Sequence, residues 1–316
     1  MQLVPANLSA AFLEFSLLFN KGLSFAKPWS AAIAYEEPSN GESKTYSFLD
    51  KIPRLRKWLA GSPRMMQNAS LRGYNLINDD YELSVEVERN KFEDDLYMNF
   101  GSLFEQMGAQ AALWPDDVVA AVLQAGAAAT SLCYDGQPFF NASHPVNMDD
   151  TSKGTFSNYN ASGMALTPTN YAAQYAAMEA FKGADGIPMQ IKPSLLVVPP
   201  QLRQAGQQIL NADFIAPAAA IGGNAASVQQ TNTLKGSADL LVVPQLANEP
   251  TAWYLVGREP SGVMRPFVFQ RRKSPVLTPP NPESEKARKE RKYEFLCDAR
   301  GAAGYTLPHF IIRSLA

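Results

Sequence analysis

Cys133, Asp135 and His144 are the residues of this chain whose types and spacing could support covalent chemistry. A thiol, a histidine base and an orienting acid form the set that nucleophilic catalysis uses. All three lie in one short stretch rich in aromatic, proline, glycine and asparagine residues, whereas catalytic partners normally come from separate parts of a fold. The pattern therefore favours a structural aromatic turn over a cysteine hydrolase.

The same stretch offers metal ligands, because Asp149 and Asp150 follow Asp135 and His144. Their spacing matches no known ligand motif, and nucleotide-binding glycine loops and serine-nucleophile elbows are absent from the sequence. His144 and His309 are the only histidines, which leaves little for proton transfer near neutral pH. We predict no catalytic residues, no metal site, no cofactor and no enzyme activity.

Two basic clusters could contact phosphate groups. Arg271, Arg272 and Lys273 follow a predicted strand, and residues 286–292 mix basic side chains with glutamate. Neighbouring acids cancel part of this charge, and the formal net charge of -2 gives no overall attraction to nucleic acid or to an anionic membrane. Solvated faces are therefore favoured over phosphate contact.

The composition indicates a globular protein with at least one real core. A chain of 316 residues favours two subdomains. Cys133 and Cys297 are far apart in sequence, which predicts free thiols and suits a reducing cytoplasm. The apolar segment 8–19 is too short to span a bilayer and lacks a basic start, so neither secretion nor membrane insertion is expected.

A long helix over residues 91–126 is the element around which the other elements are expected to pack. Its apolar side chains recur at spacings of three and four and form one wide aromatic stripe. Glu93, Asp94 and Asp95 crowd its first turn, where carboxylates favour the unpaired backbone N–H groups. This stripe predicts a face that other elements cover.

Pro115 interrupts the pattern of this helix. Proline removes one helical hydrogen bond and strains the preceding turn. We therefore expect a kink or a restart there, with Asp116 and Asp117 in the new first turn.

Before this helix, residues 8–23 show helical spacing and predict an amphipathic arm. Residues 28–90 change to short extended pieces, and residues 81–88 alternate apolar with acidic side chains, which predicts a strand with one buried face. The region holds too few aliphatic residues for a core of its own. We therefore predict a long β-hairpin that projects and finds its apolar partner elsewhere.

The later chain predicts a compact α/β unit. Strand-like runs at 194–199 and 239–244 flank a helical stretch at 201–210, and a further helix is predicted at 169–182. Between them, residues 217–230 have no periodicity and are expected to form a mobile loop. At the C-terminal end, two strands joined at 300–304 are expected to pair with earlier strands beside the central helix.

These residues together resemble a known family, the major head subunits of Mu-like bacteriophages and prophages, whose capsid proteins are of the HK97 type. The resemblance covers most of the chain in the expected order. CYDGQPFF followed by HP is its most specific part, whereas the VVP strands are generic. The matching stretches are KIPRLRKWLAG from Lys51, KFEDD from Lys91, WPDD from Trp114, CYDGQPFFNASHP from Cys133, RPFVFQRRKSP from Arg265 and ARGAAGYTLP from Ala299.

The resemblance implies an α+β, HK97-type capsid fold in five parts. These are an N-terminal arm (1–30), an extended β-hairpin loop (31–80), a peripheral domain (81–155) whose spine helix is 91–126, an inserted α/β axial domain (156–260) and a return to the peripheral domain (261–316).

The function that the resemblance implies is self-assembly into hexamers and pentamers of an icosahedral shell that encloses double-stranded DNA. Implied partners are further copies of the chain, a separate scaffolding protein, a maturation protease, a portal, a decoration protein and DNA contacted non-specifically. The implied location is the virion, with the host cytoplasm during assembly and no membrane. A tube or connector component of a phage is the alternative, followed by a small cysteine hydrolase.

Charge pattern predicts one assembly contact. Basic residues of the hairpin are expected to meet an acidic patch of an adjacent subunit, with a tryptophan as anchor. The residues of this predicted interface are Arg54, Arg56, Lys57 and Trp58 on the hairpin, with Glu93, Asp94 and Asp95, or the face 82–88, on the neighbour.

Overall fold

A computed structural model describes residues 5–49, 71–94, 98–215, 230–258 and 264–316. Its α-helices are α1 (Pro5–Phe25), α2 (Arg89–Asp94), α3 (Met98–Ala125), α4 (Pro168–Glu179), α5 (Arg203–Asn211) and α6 (Glu285–Lys289). Its strands are β1 (Ala34–Pro38), β2 (Ser43–Leu49), β3 (Leu71–Ile77), β4 (Asp79–Glu88), β5 (His144–Pro145), β6 (Thr155–Phe156), β7 (Tyr159–Asn160), β8 (Lys192–Val198), β9 (Phe214–Ile215), β10 (Gln230–Thr231), β11 (Asp239–Val242), β12 (Trp253–Arg258), β13 (Phe267–Thr278), β14 (Lys292–Tyr305) and β15 (Ile311–Ser314).

Two sheets organise the described chain. One has four strands in the order β1-β13-β14-β4, and the other has five in the order β11-β8-β12-β15-β7. β8 and β11 are parallel and are joined through α5, whereas β13, β14 and β4 are antiparallel. β2 and β3 form a separate antiparallel hairpin. The fold is α+β, as predicted.

α1 and α3 pack on one face of the four-stranded sheet. Phe15 of α1 stacks on Phe104 of α3 at 4.5 Å between ring centroids, and Phe295 of β14 lies 4.5 Å from the Phe104 ring. The backbones approach closely at two glycines, because a Cβ on Gly22 would lie 2.0 Å from Glu105 O and one on Gly108 would lie 2.0 Å from Phe19 O. The aromatic stripe of the central helix is thus covered by this chain's own α1.

Of the two outcomes expected at Pro115, the restart is excluded, because α3 continues through Pro115 to Ala125 as one helix. A kink at Pro115 stays a prediction. Asp116 is buried and accepts hydrogen bonds from Trp29 N at 3.2 Å and Ser30 N at 2.8 Å, so its carboxylate holds the turn at Trp29–Ala32 instead of starting a helix. Of the predicted helix 91–126, residues 95–97 lie outside the described residues.

The two late strands are confirmed as β14 and β15, which pair with earlier strands. The junction expected at 300–304 is wrong, because β14 runs unbroken to Tyr305. Its small residues serve close packing rather than a turn, since a Cβ on Gly301 would lie 2.4 Å from Gln270 O. The chain turns at Pro308–Phe310, after which β15 joins the five-stranded sheet. The last strand therefore ties the two sheets together.

The other predicted elements are confirmed within a few residues. The helix at 8–23 is α1, the alternating strand at 81–88 is β4, the helix at 169–182 is α4, and β8-α5-β11 is the predicted α/β unit. Of the predicted loop 217–230, only Gln230 lies among the described residues. No helix in the described ranges is long and apolar enough to cross a bilayer.

Candidate functional site

The tight turn after α3 brings together the three residues that could do chemistry. Gly136 has φ +74°, a left-handed conformation that glycine adopts without strain. Two backbone hydrogen bonds close the turn, from Cys133 N to Gln137 O at 2.9 Å and from Phe139 N to Ser131 O at 3.0 Å. The Cys133 thiol and the Asp135 carboxylate therefore face the interior on the same side.

Asp135 is the centre of this cluster. Its Oδ1 accepts from Cys133 Sγ at 2.8 Å and from Gln137 N at 3.0 Å, and its Oδ2 lies 2.6 Å from His144 Nδ1. His144 Nε2 lies 3.2 Å from Phe139 O. The side chains of His144 and Asp135 are 0% and 1% exposed, so the cluster is sealed from solvent.

The electrostatics of the cluster oppose thiol catalysis. Burial, followed by the hydrogen bond to Asp135, raises the pKa of the Cys133 thiol far above its usual range. Burial alone would raise the pKa of Asp135, but hydrogen bonds from His144, Cys133 and Gln137 outweigh it and hold that pKa below its usual value. The thiol is therefore protonated and bonded to the acid instead of the base, which fits a structural turn.

The metal ligands that the sequence offered are only partly brought together. Ligand atoms of Cys133, Asp135 and His144 all lie within 4.8 Å of one another. Asp149 and Asp150 do not join them, and Asp150 instead accepts from Ser152 N at 3.1 Å as the cap of a short turn. Asp135 lies at hydrogen-bond distance from both Cys133 and His144, closer than two ligands of one tetrahedral zinc ion with bonds of about 2.0 to 2.3 Å.

His309 lies beside this cluster, a position that was not predicted from the sequence. The Phe156 ring stacks on His309 at 4.0 Å and on His144 at 5.2 Å between centroids. His309 is buried, and neither of its ring nitrogens has a hydrogen-bond partner among the described residues. Burial lowers the pKa of His309 to about 3, with His144 adding to the shift. The ring is therefore neutral.

The same turn occurs a second time, 50 residues further along. Asp185 Oδ1 accepts from Ile187 N at 3.0 Å, as Asp135 Oδ1 accepts from Gln137 N, and Gly186 has φ +78°. In this copy the aspartate is exposed. The repeated turn is visible in the sequence as DGQP at 135–138 and DGIP at 185–188, but it was not predicted.

The two basic clusters are largely paired with acids. Arg271 Nε lies 2.5 Å from Glu36 Oε1, Lys273 pairs with Asp298, and Lys292 Nζ lies 2.6 Å from Glu86 Oε1. Lys286 of α6 pairs with Glu294 of β14, and Lys289 pairs with Glu285 within α6. These contacts support the prediction of charged, solvent-facing surfaces.

Most of the predicted assembly interface cannot be placed. Arg54, Arg56, Lys57 and Trp58 lie outside the described residues, as does Asp95. The backbone of Glu93 and Asp94 belongs to α2. The alternative acidic face at 82–88 is partly neutralised within the chain, because Glu86 pairs with Lys286 and Lys292.

The root of the β2–β3 hairpin contains a second polar cluster, which sequence reasoning missed. Gln270 of β13 is 0% exposed, and its amide group contacts both strands of the hairpin through buried Tyr46 and Asn78. Lys44 Nζ adds an ion pair to Glu37 Oε1 at 2.5 Å at the same end of the hairpin. A polar residue within the apolar run PFVFQ was the available signal.

Comparison with known proteins identifies relatives along the whole chain. The sequence model of the family described as "Mu-like prophage major head subunit gpT" matches residues 8–166, 160–246 and 247–316. The major capsid protein of Escherichia phage Mu is 32% identical over 174 residues, which are 55% of this chain and 53% of that protein. The Mu-like prophage FluMu major head subunit of Haemophilus influenzae is 32% identical over 168 residues, which are 52% of this chain and 53% of that protein.

Solved structures agree with these sequence relatives. A chain from the procapsid of bacteriophage JBD30 superposes with a TM-score of 0.58 at 25% identity, and the match covers 99% of this chain and 76% of that one. The sequence matches span about half the length of the two curated relatives.

Proposed function

Because this chain belongs to the family of Mu-like prophage major head subunits, we propose that it assembles with further copies of itself into the closed shell of a phage head. The observation that carries the proposal is the match to the JBD30 procapsid chain over 99% of this chain. The protein is then a structural subunit of the virion, and the buried Cys133–Asp135–His144 cluster is part of its core.

The finer features of the proposal follow the family. The subunits form hexamers and pentamers around double-stranded DNA, which the shell contacts non-specifically. A separate scaffolding protein, a maturation protease, a portal and a decoration protein act with the shell. Assembly takes place in the host cytoplasm.

We propose the division of the chain into arm, hairpin loop, peripheral domain and axial domain at the boundaries given above. The positions of α1, the β2–β3 hairpin, α3 and the β8-α5-β11 unit support it. β15 modifies it, because the return segment 261–316 supplies a strand to the five-stranded sheet as well as β13 and β14 to the other.

For the contact between subunits, we propose that Arg54, Arg56, Lys57 and Trp58 of one copy meet the acidic turn at 93–95 of the next. The alternative face at 82–88 is less suited, since Glu86 already pairs with Lys286 and Lys292 of its own chain. Each exposed pair contributes only about 0.2 to 1 kcal/mol. The contact therefore stabilises the shell mainly because it is repeated over many copies.

Sedimentation velocity of the purified chain, alone and with a scaffolding protein, tests the assembly function. We expect capsomers or closed particles in addition to free subunits. A chain that remains monomeric under both conditions contradicts the proposal. A hydrolase activity that is lost in a Cys133→Ser variant would instead support the cysteine hydrolase.

A further inference from the structure

Gln270 is a fully buried amide in the middle of a strand whose neighbours are apolar. Val268 and Ala302 share its face of the four-stranded sheet, which is the face away from α3. A buried amide costs free energy unless its hydrogen bonds are made. The identity of its partners therefore indicates what the residue holds in place.

Those partners come from β2 and from the C-terminal end of β3, the two strands of the hairpin. Tyr46 of β2 donates its hydroxyl to Gln270 Oε1 at 2.9 Å. Gln270 Nε2 donates to Asn78 Oδ1 at 2.6 Å and to Leu76 O at 3.4 Å, just after and within β3. Burial, with Glu37 adding to it, raises the pKa of the Tyr46 hydroxyl, which keeps it protonated as a donor. One amide therefore joins both hairpin strands to the body.

Asn78 extends this connection to the start of the hairpin. Its Nδ2 donates to Ser39 Oγ at 3.2 Å, Gly41 O at 3.0 Å and Glu42 O at 3.0 Å. The segment between β1 and β2 is thereby tied to the end of β3. Because the side-chain oxygen of Asn78 is bonded to Gln270, both ends of the hairpin depend on the same amide.

The apolar part of the contact is close. A Cβ on Gly304 of β14 would lie 2.9 Å from Tyr74 Cε1 and 3.1 Å from Leu76 Cδ2. Apolar packing is non-directional, so this contact resists separation of the hairpin but resists rotation less. Hydrogen bonds are directional, and the buried bonds of Gln270 to Tyr46, Leu76 and Asn78 therefore resist rotation of the hairpin.

We propose that Gln270 is a positioning residue that fixes the direction in which the β2–β3 hairpin leaves the body of the subunit, and thereby the fit of the hairpin to a second copy of the chain. The second half rests on the proposed function. The direction itself is a property of the single chain, so it can be measured on unassembled protein.

Distance distributions between two spin labels test the proposal. One label is placed on the hairpin at the exposed Asn75→Cys of β3 and the other on α3 at the exposed Gln110→Cys. Both native cysteines are buried, and the unsubstituted chain measures any background labelling. In the parent we expect one narrow distribution. In Gln270→Leu we expect its width to at least double, because the amide that connects Tyr46 and Asn78 is gone.

Asn232→Leu is the matched control. Asn232 is a buried amide of the same kind, whose Nδ2 donates to Ile209 O at 2.8 Å and Ala212 O at 2.9 Å beside α5. Its loss should lower stability but leave the label distance unchanged. Should Gln270→Leu not fold, Tyr46→Phe removes only the 2.9 Å bond and should broaden the distribution to a smaller degree.

A distribution as narrow as the parent's in both Gln270→Leu and Tyr46→Phe overturns the proposal, as does equal broadening in Asn232→Leu. Particle formation is scored separately. If the parent assembles and Gln270→Leu gives particles of mixed size, the link to the second copy is supported. If the parent does not assemble, the proposed function fails while the label result still decides the role of Gln270.

Discussion

Asp135 is the hydrogen-bond partner of two buried side chains, those of Cys133 and His144. Among the three residues of the cluster, its replacement should therefore lower the free energy of unfolding most. Replacement by alanine leaves the His144 imidazole and the Cys133 thiol without their shared acceptor. We expect Asp135→Ala to lower the free energy of unfolding by about 3 kcal/mol or more. Urea denaturation of the unassembled chain measures it.

Asp185→Ala is the control for this prediction, because Asp185 makes the same turn bond to Ile187 N but is exposed. Its loss should cost about 1 kcal/mol. Equal effects of the two substitutions would show that the buried contacts of Asp135 contribute nothing beyond the turn itself.

His309 makes stability depend on pH. Its folded pKa of about 3 lies below the value of about 6.5 expected in the unfolded chain. Between these values the unfolded chain binds more protons, so stability is lost as the pH falls below about 6.5. From pH 6.5 to pH 5 the expected loss from this residue is about 2 kcal/mol, at about 1.4 kcal/mol per pH unit.

Chemical denaturation at pH 7 and pH 5 measures this loss, with His309→Phe as the comparison. Phenylalanine keeps a ring against Phe156 but cannot take up a proton. The variant should lose about 2 kcal/mol less than the parent over this interval. An identical pH dependence in both proteins would contradict the assignment to His309.

At the residue scale, the sequence predicted a structural turn but not its geometry. The stretch around Cys133 and His144 was predicted to be a structural turn, and the protonated, buried thiol agrees with that. The role of Asp135 as the shared acceptor could not be read from spacing, because it depends on which oxygen faces which partner. The position of His309 beside this cluster could not be predicted either, because His309 is more than 160 residues away in sequence and no local pattern indicates the contact.

The crossing of α1 and α3 depends on glycine. A Cβ on Gly108 would lie 2.0 Å from Phe19 O, a backbone atom that cannot rotate away. We expect Gly108→Val to separate the helices and to lower the free energy of unfolding by about 3 kcal/mol. Amide hydrogen exchange in α1 should then be faster than in the parent, whereas exchange in the five-stranded sheet should change less.

Gln110→Val places the same side chain on an exposed position of α3 and controls for the helix propensity of valine. It should leave exchange in α1 unchanged. Unchanged exchange in Gly108→Val as well would contradict the close crossing of the two helices.

At the element scale, periodic patterns were reliable and single residues were not. The alternation in 81–88 and the helical spacing in 8–23 were confirmed as β4 and α1. Pro115 was expected to kink or restart the helix, and the continuation of α3 through it excludes the restart. The small residues Gly301 to Gly304 resembled a turn, but they allow β14 to pass between Trp114 and the hairpin.

At the scale of the whole molecule, the proposed contact between subunits depends on charge. Reversal in Arg54→Glu with Arg56→Glu should place like charges opposite the acidic turn at 93–95. We expect fewer closed particles from this variant than from the parent at moderate ionic strength, because the penalty is repeated over many copies. Particle yield is measured by sedimentation. Normal shells from the reversed chain would remove this contact.

Trp58 is expected to anchor the same contact, since tryptophan is enriched where interfaces bind most tightly. Trp58→Ala should lower the thermal stability of assembled particles while leaving the unassembled chain unchanged. Calorimetry of both forms makes the comparison. Particles of unchanged thermal stability would exclude Trp58 as an anchor.

Family membership could be predicted from the sequence because motifs such as CYDGQPFF followed by HP lie in order along the chain, and the family match confirms it. The connection between the two sheets could not be predicted, since β14 belongs to the four-stranded sheet and β15 to the five-stranded sheet. Such long-range pairings leave no local pattern.

Electron microscopy of the purified chain, assembled with a scaffolding protein, shows directly whether this subunit builds a phage head. We expect closed shells built from hexamers and pentamers, with the two-sheet fold recognisable in each subunit. Rings, open tubes or filaments in place of closed shells would contradict this expectation and would favour a tube or connector component.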